Sequence, residues 1–318
     1  MTRILVTGSA GFIARSLIRK LLAEGNFVFG LDLMETPKKL FKSVSTQYFQ
    51  PLVADISDPK ICDPTYGANW WDETDVCFHL AAMANVDEVA VQREKAFQVN
   101  LHGTFNIVEA CRKRGIPLIF ASTCCVYGNT PQHPSMEDGP TCPMDWYGVT
   151  KRTGEELIRG LLGKAVMLRF GTTYGPEMRD ALCTSIILRQ AMQGAYYTVK
   201  GDGRQTRNWV YIDDLIDGCV RAMRFALRES SMHMNFQETF NLCGEQPYTV
   251  LDLVRICHHL ACRDEDWKKC IKFLPARADD VMMENISVEK ARRVLDWEPK
   301  IEFPQGMAKI HEEWKKCV

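Results

Sequence analysis

A chain of 318 residues is long enough for one large domain or two unequal ones. With 46% apolar and 25% charged residues it has the composition of an ordinary globular protein, which excludes disordered and collagenous classes. Its 39 basic and 40 acidic side chains nearly cancel, so no global field favours nucleic acid or an anionic membrane.

Ile4-Leu5-Val6 is a short strand pattern, and Met1-Thr2-Arg3 runs straight into it; no secretory leader is expected. Phe12 to Leu22 carries apolar residues at helical spacing, and Phe27 to Leu31 is a second strand ending at Asp32. Further strands are expected at Leu52–Ala54, Val76–Leu80, Leu118–Ala121 and Val166–Phe170, with helices at Ala96–Arg112 and Tyr147–Leu162. Strands apolar throughout, alternating with amphipathic helices, imply an α/β fold with a parallel sheet covered on both faces. After Phe170 the rhythm breaks. Helices are expected at Leu182–Met192, Asp213–Leu227, Val250–Cys262, Ser287–Leu295 and Gln305–Trp314, with strands at Val210–Ile212 and near Phe240–Leu242. We expect residues 1–170, with about 210–240, to form the sheet domain. Residues 171–209 and 241–318 are expected to form a smaller lobe. No apolar run approaches the roughly 18–20 residues that span a bilayer. Thirteen scattered cysteines, odd in number and set in apolar segments, read as reduced thiols of a cytoplasmic protein.

The first strand is followed by Thr7-Gly8-Ser9-Ala10-Gly11-Phe12-Ile13-Ala14. Gly8 and Gly11 allow a tight turn and close approach of a pyrophosphate to the helix N-terminus, and Ala14 is small enough for the helix to pack on the strand. Asp32 ends the next strand at the spacing of a dinucleotide fingerprint. There it would accept hydrogen bonds from the adenosine ribose and repel a 2′-phosphate, favouring NAD over NADP. Lys38 and Lys39 are the nearby residues that would argue the other way.

Tyr147 and Lys151 are four apart at a helix start and share one face. A lysine ammonium beside the phenol would favour phenolate, a positively charged nicotinamide would lower the Tyr pKa further, and such a Tyr can take a proton from a sugar hydroxyl as hydride leaves the carbon. Ser122 and Thr123, at the preceding strand end, could hold the same oxygen. The same spacing at Tyr196 and Lys200 falls in a β pattern, where residues four apart lie more than about 10 Å from each other, and is coincidence.

Taken with Asp55-Ile56, His79-Leu80-Ala81-Ala82, Asn100, Val126-Tyr127-Gly128, Tyr174-Gly175-Pro176 and Gly201-Asp202-Gly203, these motifs resemble the extended short-chain dehydrogenase/reductases. Specifically, the chain is similar to the NAD-dependent nucleotide-sugar epimerase/dehydratase family, over nearly its whole length. The resemblance implies a doubly wound parallel sheet of Rossmann type holding NAD and a smaller C-terminal lobe holding a nucleoside-diphosphate sugar, with Thr123, Tyr147 and Lys151 as catalytic triad. It implies that Gly8, Gly11, Phe12, Ile13, Asp32, Asp55, Ile56, Leu80, Ala81, Ala82 and Asn100 hold the dinucleotide. Arg207 and Arg277 match positions that clamp the substrate diphosphate. A homodimer through a four-helix bundle, built from Ala96–Arg112 and Tyr147–Leu162, is also implied.

Sugar 4,6-dehydratases resemble Thr-Asp-Glu after the strand, and nucleotide-sugar decarboxylases commonly keep the Glu. This chain has Thr123-Cys124-Cys125. A 4-epimerase needs neither carboxylate, which makes a UDP-sugar 4-epimerase the first expectation. Thr172, where family members often have Asn, is expected at the substrate. Cys125 supports a rival, since its position resembles the acid/base cysteine of 3,5-epimerases, although free cysteines are more often small apolar filler. A dinucleotide-binding protein without chemistry is the alternative of another class, and such proteins typically lose the Tyr or Lys. Cys257, His258, His259 and Cys262 match no common zinc spacing, and no metal is expected; the histidines are expected off the apolar helix face. His79 is expected to be structural or cofactor-contacting, and Trp70 and Trp71 to serve as packing or lid.

Overall fold

The computed structural model describes residues 1–41, 44–63, 65, 68–129, 134–277 and 279–316. In chain order the sheet domain comprises β1 (Arg3–Thr7), α1 (Phe12–Ala23), β2 (Phe27–Asp32), β3 (Phe49–Val53), α2 (Ala68–Asp72), β4 (Val76–His79), α3 (Val86–Val91) and α4 (Arg93–Phe97). It continues with α5 (Gly103–Arg114), β5 (Leu118–Thr123), α6 (Trp146–Leu161) and β6 (Lys164–Phe170). Then come β7 (Thr173–Tyr174), α7 (Cys183–Met192), β8 (Tyr197–Lys200), β9 (Thr206–Arg207), β10 (Val210–Tyr211), α8 (Ile212–Met232) and β11 (Phe236–Leu242). The chain closes with β12 (Tyr248–Thr249), α9 (Val250–Leu260), β13 (Ile271–Leu274), α10 (Glu289–Leu295) and α11 (Phe303–Lys315).

Seven parallel strands form one sheet in the order β11-β6-β5-β4-β1-β2-β3. Alternate residues of β1 show how the apolar runs are used. Ile4 and Val6 pack with Leu17, Ile18 and Leu21 of α1, while Leu5 packs on the other face with Ile107 of α5 and Ile158 of α6. Both faces are dry, so the sequence pattern is apolar at every step. The strand order reverses between β1 and β4, and a crevice opens beyond the carboxyl ends of the strands at that switch point. The remaining strands make three two-stranded sheets: β10 with β7, β9 with β12 and β8 with β13.

Several boundaries differ from expectation. The helix expected at Ala96–Arg112 is interrupted by a π-helical turn at Gln98–His102, which turns the Asn100 side chain back to the chain beyond β4. Ile212 begins α8 rather than ending a strand, with Asp213 and Asp214 in the first turn where the helix dipole favours negative charge. Strand β5 runs on to Thr123, carrying that residue to the crevice. Trp71 is packing, not lid: it is fully buried and its indole N–H donates to the Ile61 carbonyl at 3.0 Å. His258 is also buried, contrary to expectation; Nδ1 and Nε2 lie 3.1 and 2.8 Å from the Tyr197 hydroxyl and the Glu265 carbonyl. Among the described residues, no helix is long and apolar enough to cross a membrane, and no group of three His, Cys, Asp or Glu side chains is placed to hold a metal ion.

Candidate active site

A cavity of about 740 Å³ occupies the crevice. At one end the turn after β1 reverses tightly: the Gly11 N–H donates to the Gly8 carbonyl at 2.9 Å, and Gly8 has φ +72°. A Cβ at Gly8 would lie 2.8 Å from the backbone of Ala81, so only glycine fits there. Helix α1 starts at Gly11 with no side-chain cap, leaving its first N–H groups open to an anion. Asp32 ends β2 on the same wall and accepts the backbone N–H groups of Ala10 and Leu33 at 2.9 and 2.7 Å. Asp55, Ile56, Phe12, Ile13, Leu80, Ala81 and Ala82 complete this wall. An open helix N-terminus, a glycine cradle and a carboxylate at the end of the second strand are the chemistry a dinucleotide requires. Lys38 and Lys39, in a short turn behind, do not line the cavity.

Two predicted residues act from behind the wall. His79 is buried, hydrogen-bonded to Thr7 Oγ1 at 2.8 Å and Thr104 Oγ1 at 3.1 Å; Thr7 Oγ1 in turn accepts the Ala81 N–H at 3.1 Å. Burial, with the nearby Lys151 charge, pushes the imidazole down to about 3, so it is a neutral spacer and no base. Asn100 does not line the cavity. Its side chain grips Met83 on both backbone groups, at 2.8 and 3.0 Å, and donates to Thr150 Oγ1 at 3.0 Å. It thereby fixes the chain after β4 to α6.

At the other end the cavity is walled by Thr123, Cys124 and Cys125 of the β5 terminus, by Tyr147 and Lys151 of α6, and by Thr172. Asp145 caps α6 by accepting the Gly148 N–H at 2.6 Å, which places Tyr147 in the first turn and Lys151 one turn on. Lys151 Nζ donates to the Ala121 carbonyl at 2.8 Å and lies 4.8 Å from the Phe120 ring centre. Burial pushes its ammonium down to about 7. The phenol does not behave as the sequence suggested. Burial, then Cys125 and Asp145, push Tyr147 above its ordinary value, and the groups that pull it down are Arg179 and Thr123. The protein walls alone hold Tyr147 as a neutral phenol, able to donate to an oxygen. Ser122 is committed elsewhere, donating to Glu155 Oε1 at 2.6 Å, while Thr123, whose Oγ1 accepts the Cys125 N–H at 3.2 Å, is the strand-end hydroxyl on the cavity wall with Tyr147.

The two predicted clamp arginines lie outside the cavity wall. Arg207 pairs with Asp280 at 2.6 Å and donates to the carbonyls of Thr206 and Val281. Arg277 pairs with Asp87 of α3 at 2.7 Å. Lys95, Gln98, Arg179 and Glu284 line the cavity and were missed; they belong to no short motif.

A model of the NAD dependent epimerase/dehydratase family matches residues 4–242. UDP-glucuronic acid decarboxylase 2 of Arabidopsis thaliana is 29% identical, over 99% of this chain and 69% of its own length. UDP-glucose 4-epimerase of Mycolicibacterium smegmatis is 30% identical, over 98% of this chain and 97% of its own. Among solved structures, UDP-glucuronic acid 4-epimerase from Bacillus cereus, in complex with UDP-glucuronic acid and NAD, superposes with a TM-score of 0.86 at 26% identity, covering 100% of both chains.

Proposed function

The chain belongs to the NAD-dependent epimerase/dehydratase family, and we propose that within it the protein is a nucleotide-sugar 4-epimerase acting on a UDP-sugar. The observation that carries this reading is the end of β5, where Thr123 faces the cavity beside Tyr147 and is followed by two thiols, Cys124 and Cys125, rather than by an acid–base pair of carboxylates. Water elimination needs such a pair; inversion at one carbinol carbon does not.

The glycine turn, Asp32 and Ala81-Ala82 would hold NAD, which when bound would supply a reversible hydride acceptor. Tyr147, ionised when the positive charge of bound NAD lowers its phenol, would take the proton of the sugar 4-hydroxyl and return it to the oxygen after the ring has presented its other face. Thr123 donates to that oxygen and orients it. Lys151, held on the Ala121 carbonyl, keeps a cation buried beneath the same site. Gly8, Gly11, Phe12, Ile13, Asp55, Ile56 and Leu80 line the dinucleotide end, with Asn100 holding Met83 in place behind them. Thr172 lies at the sugar, and Arg207 and Arg277 would reach the diphosphate only by leaving their carboxylate partners. Residues 171–209 and 241–318 form the lobe that closes over the substrate. Exposed Phe105 on α5, with Trp146 and Leu161 on α6, supports a homodimer through these helices.

A 3,5-epimerase reading rests on Cys125, which lines the cavity. Burial, with Asp145 and Glu284, pushes that thiol up to about 12, and a buried free cysteine is ordinarily small apolar filler. The convergence of Tyr147, Lys151 and Thr123 on one cavity speaks against a non-catalytic sensor. Incubation of the purified protein with UDP-, GDP-, CDP- and dTDP-sugars, followed by product NMR, tests the assignment. Inversion at C4 of a UDP-sugar without added cofactor is the expected result; carbon dioxide release or a 4-keto-6-deoxy product would overturn it.

A further inference from the structure

Between β7 and α7 the chain forms a strap, residues 175–182, that carries Arg179 and Leu182 onto the cavity wall. Its first residue presses on α1. A Cβ at Gly175 would lie 2.6 Å from Ile212 Cγ2 and 3.2 Å from the ring of Phe12, itself a wall residue of the cavity. The Pro176 carbonyl then accepts the indole N–H of Trp314, on α11, at 3.0 Å. Met178 is buried, and Arg179 reaches towards the chain after β4, with Nη2 3.5 Å from the Ala84 carbonyl.

Glu177 fastens this strap to α1. Arg19 grips its carboxylate edge to edge, Nη1 to Oε1 at 2.5 Å and Nη2 to Oε2 at 2.8 Å, and Arg15 Nη2 lies 3.5 Å from Oε2. The two arginines stand one turn apart on the helix, with side chains only 24% and 27% exposed, so their stems are packed down. An isolated surface ion pair contributes little, but a bidentate fork within a network of three charges is the exception. The helix so gripped is the one whose open N-terminus faces the dinucleotide, and Arg15 lies in its first turn.

We propose that Glu177 is a positioning residue that sets the substrate-facing wall of the cavity on the helix that holds the dinucleotide. The inference rests on the nucleotide-sugar reading above. Gly8, Gly11, Asp32, Asp55 and Ile56 build the dinucleotide end, and none of them lies on the strap. What the strap supplies, directly after Thr172 and Thr173, is Arg179 and Leu182. Loss of the Glu177 anchor therefore leaves the dinucleotide cradle standing and loosens the wall against which the nucleotide sugar is held. Tyr147 and Lys151 are fixed on α6 by other contacts, so a sugar once bound should react at nearly the usual rate.

Steady-state kinetics with UDP-glucose, NAD titration and amide hydrogen exchange test this on Glu177→Gln, which keeps the side chain's shape and removes its charge. KM should rise at least about fivefold, with kcat within about twofold of wild type and NAD affinity unchanged. Amides of residues 175–182 should exchange faster, while those of α1 and the central sheet should not. Glu177→Arg combined with Arg19→Glu rebuilds the pair with its ends reversed and should return KM to within about twofold of wild type. An unchanged KM in Glu177→Gln, a loss confined to kcat, or a KM that stays raised in the reversed pair would overturn the inference. If the wild-type protein turns over no UDP-glucose, the 4-epimerase assignment falls and hydrogen exchange decides for Glu177. Faster exchange confined to the strap then sustains its positioning role, and unchanged exchange removes it.

Discussion

Glu155 and Arg169 meet edge to edge inside the protein, with Nε to Oε1 at 2.9 Å and Nη2 to Oε2 at 2.8 Å, and their side chains are 0% and 2% exposed. The pair does more than neutralise itself. Glu155, one turn beyond Lys151 on α6, also accepts the Ser122 hydroxyl of β5, and Arg169 on β6 donates to the Tyr127 hydroxyl at 2.8 Å. Helix α6, which carries Tyr147 and Lys151, is thus bolted to the strand end that carries Thr123.

Removing one partner leaves the other charge buried and unpaired, so Glu155→Ala should cost about 3–5 kcal/mol in urea unfolding. The acid side of the stability curve follows from the same pair. Burial alone would raise the Glu155 carboxyl, but the hydrogen bond and charge of Arg169 outweigh it and hold the group below its ordinary value. A carboxylate depressed in the folded state contributes stability that is complete above its unfolded pKa, near about 4.3, and is lost as pH falls through the lower folded value. Urea unfolding of the wild type should therefore weaken below about pH 4.5 more steeply than that of Glu155→Gln. Parallel pH profiles would remove this role.

The dinucleotide end was legible in the sequence because its residues are adjacent along the chain. A strand, a glycine turn and a helix follow one another between Arg3 and Ala23, and each names its own geometry. Tyr147 and Lys151 were legible for the same reason, lying on one helical turn. What could not be read depends on partners far along the chain. Arg207 and Arg277 looked like free clamps, yet Asp280 and Asp87 hold them across 73 and 190 residues. Asn100 looked like a cofactor ligand, but the π-helical turn points it at Met83. Glu284 gives no local signal at all, since it is placed by hydrogen bonds to residues 76 and 78 positions away. The expected effect of Lys151 on Tyr147 failed on a different ground: proximity along a helix says nothing of desolvation, and burial acts on both groups more strongly than their neighbours do.

Gly8→Ala should abolish retention of NAD while leaving the sheet intact. The added Cβ would meet the Ala81 backbone at 2.8 Å, and alanine disfavours a φ of +72°. Asp32→Ala should act differently, narrowing the preference for NAD over NADP by removing both the ribose acceptor and the repulsion of a 2′-phosphate. Equilibrium binding of the two dinucleotides checks both. An Asp32→Ala protein with an unchanged preference would show that the carboxylate does not set it.

Tyr147→Phe keeps the ring and its packing but removes the one phenol that lines the cavity among the described residues. Turnover of the nucleotide sugar should fall at least about a hundredfold, with melting temperature and NAD binding close to wild type. Lys151→Ala should lower turnover and also weaken NAD retention, because the buried ammonium lies at the floor of the same site. Comparable turnover in Tyr147→Phe would end the case for this phenol as acid/base.

The two epimerase chemistries part at Cys125. In 4-epimerisation hydride leaves and returns to one carbon, so solvent protons never enter a C–H bond. In 3,5-epimerisation protons are removed from carbons beside a transient ketone and replaced, which needs an acid/base able to ionise. The Cys125 thiol is pushed up by burial, Asp145 and Glu284, and 4-epimerisation assigns it no proton transfer. In D₂O the product's ring carbons should therefore remain free of deuterium, and Cys125→Ala should retain turnover within a few-fold of wild type, as expected for a small buried filler. Mass spectrometry and NMR of the product read the first outcome, and steady-state rates read the second. Deuterium at C3 or C5 together with loss of activity in Cys125→Ala would transfer the acid/base role from Tyr147 alone to the thiol. The family and the dinucleotide cradle would stand unchanged, because neither depends on which carbon is inverted.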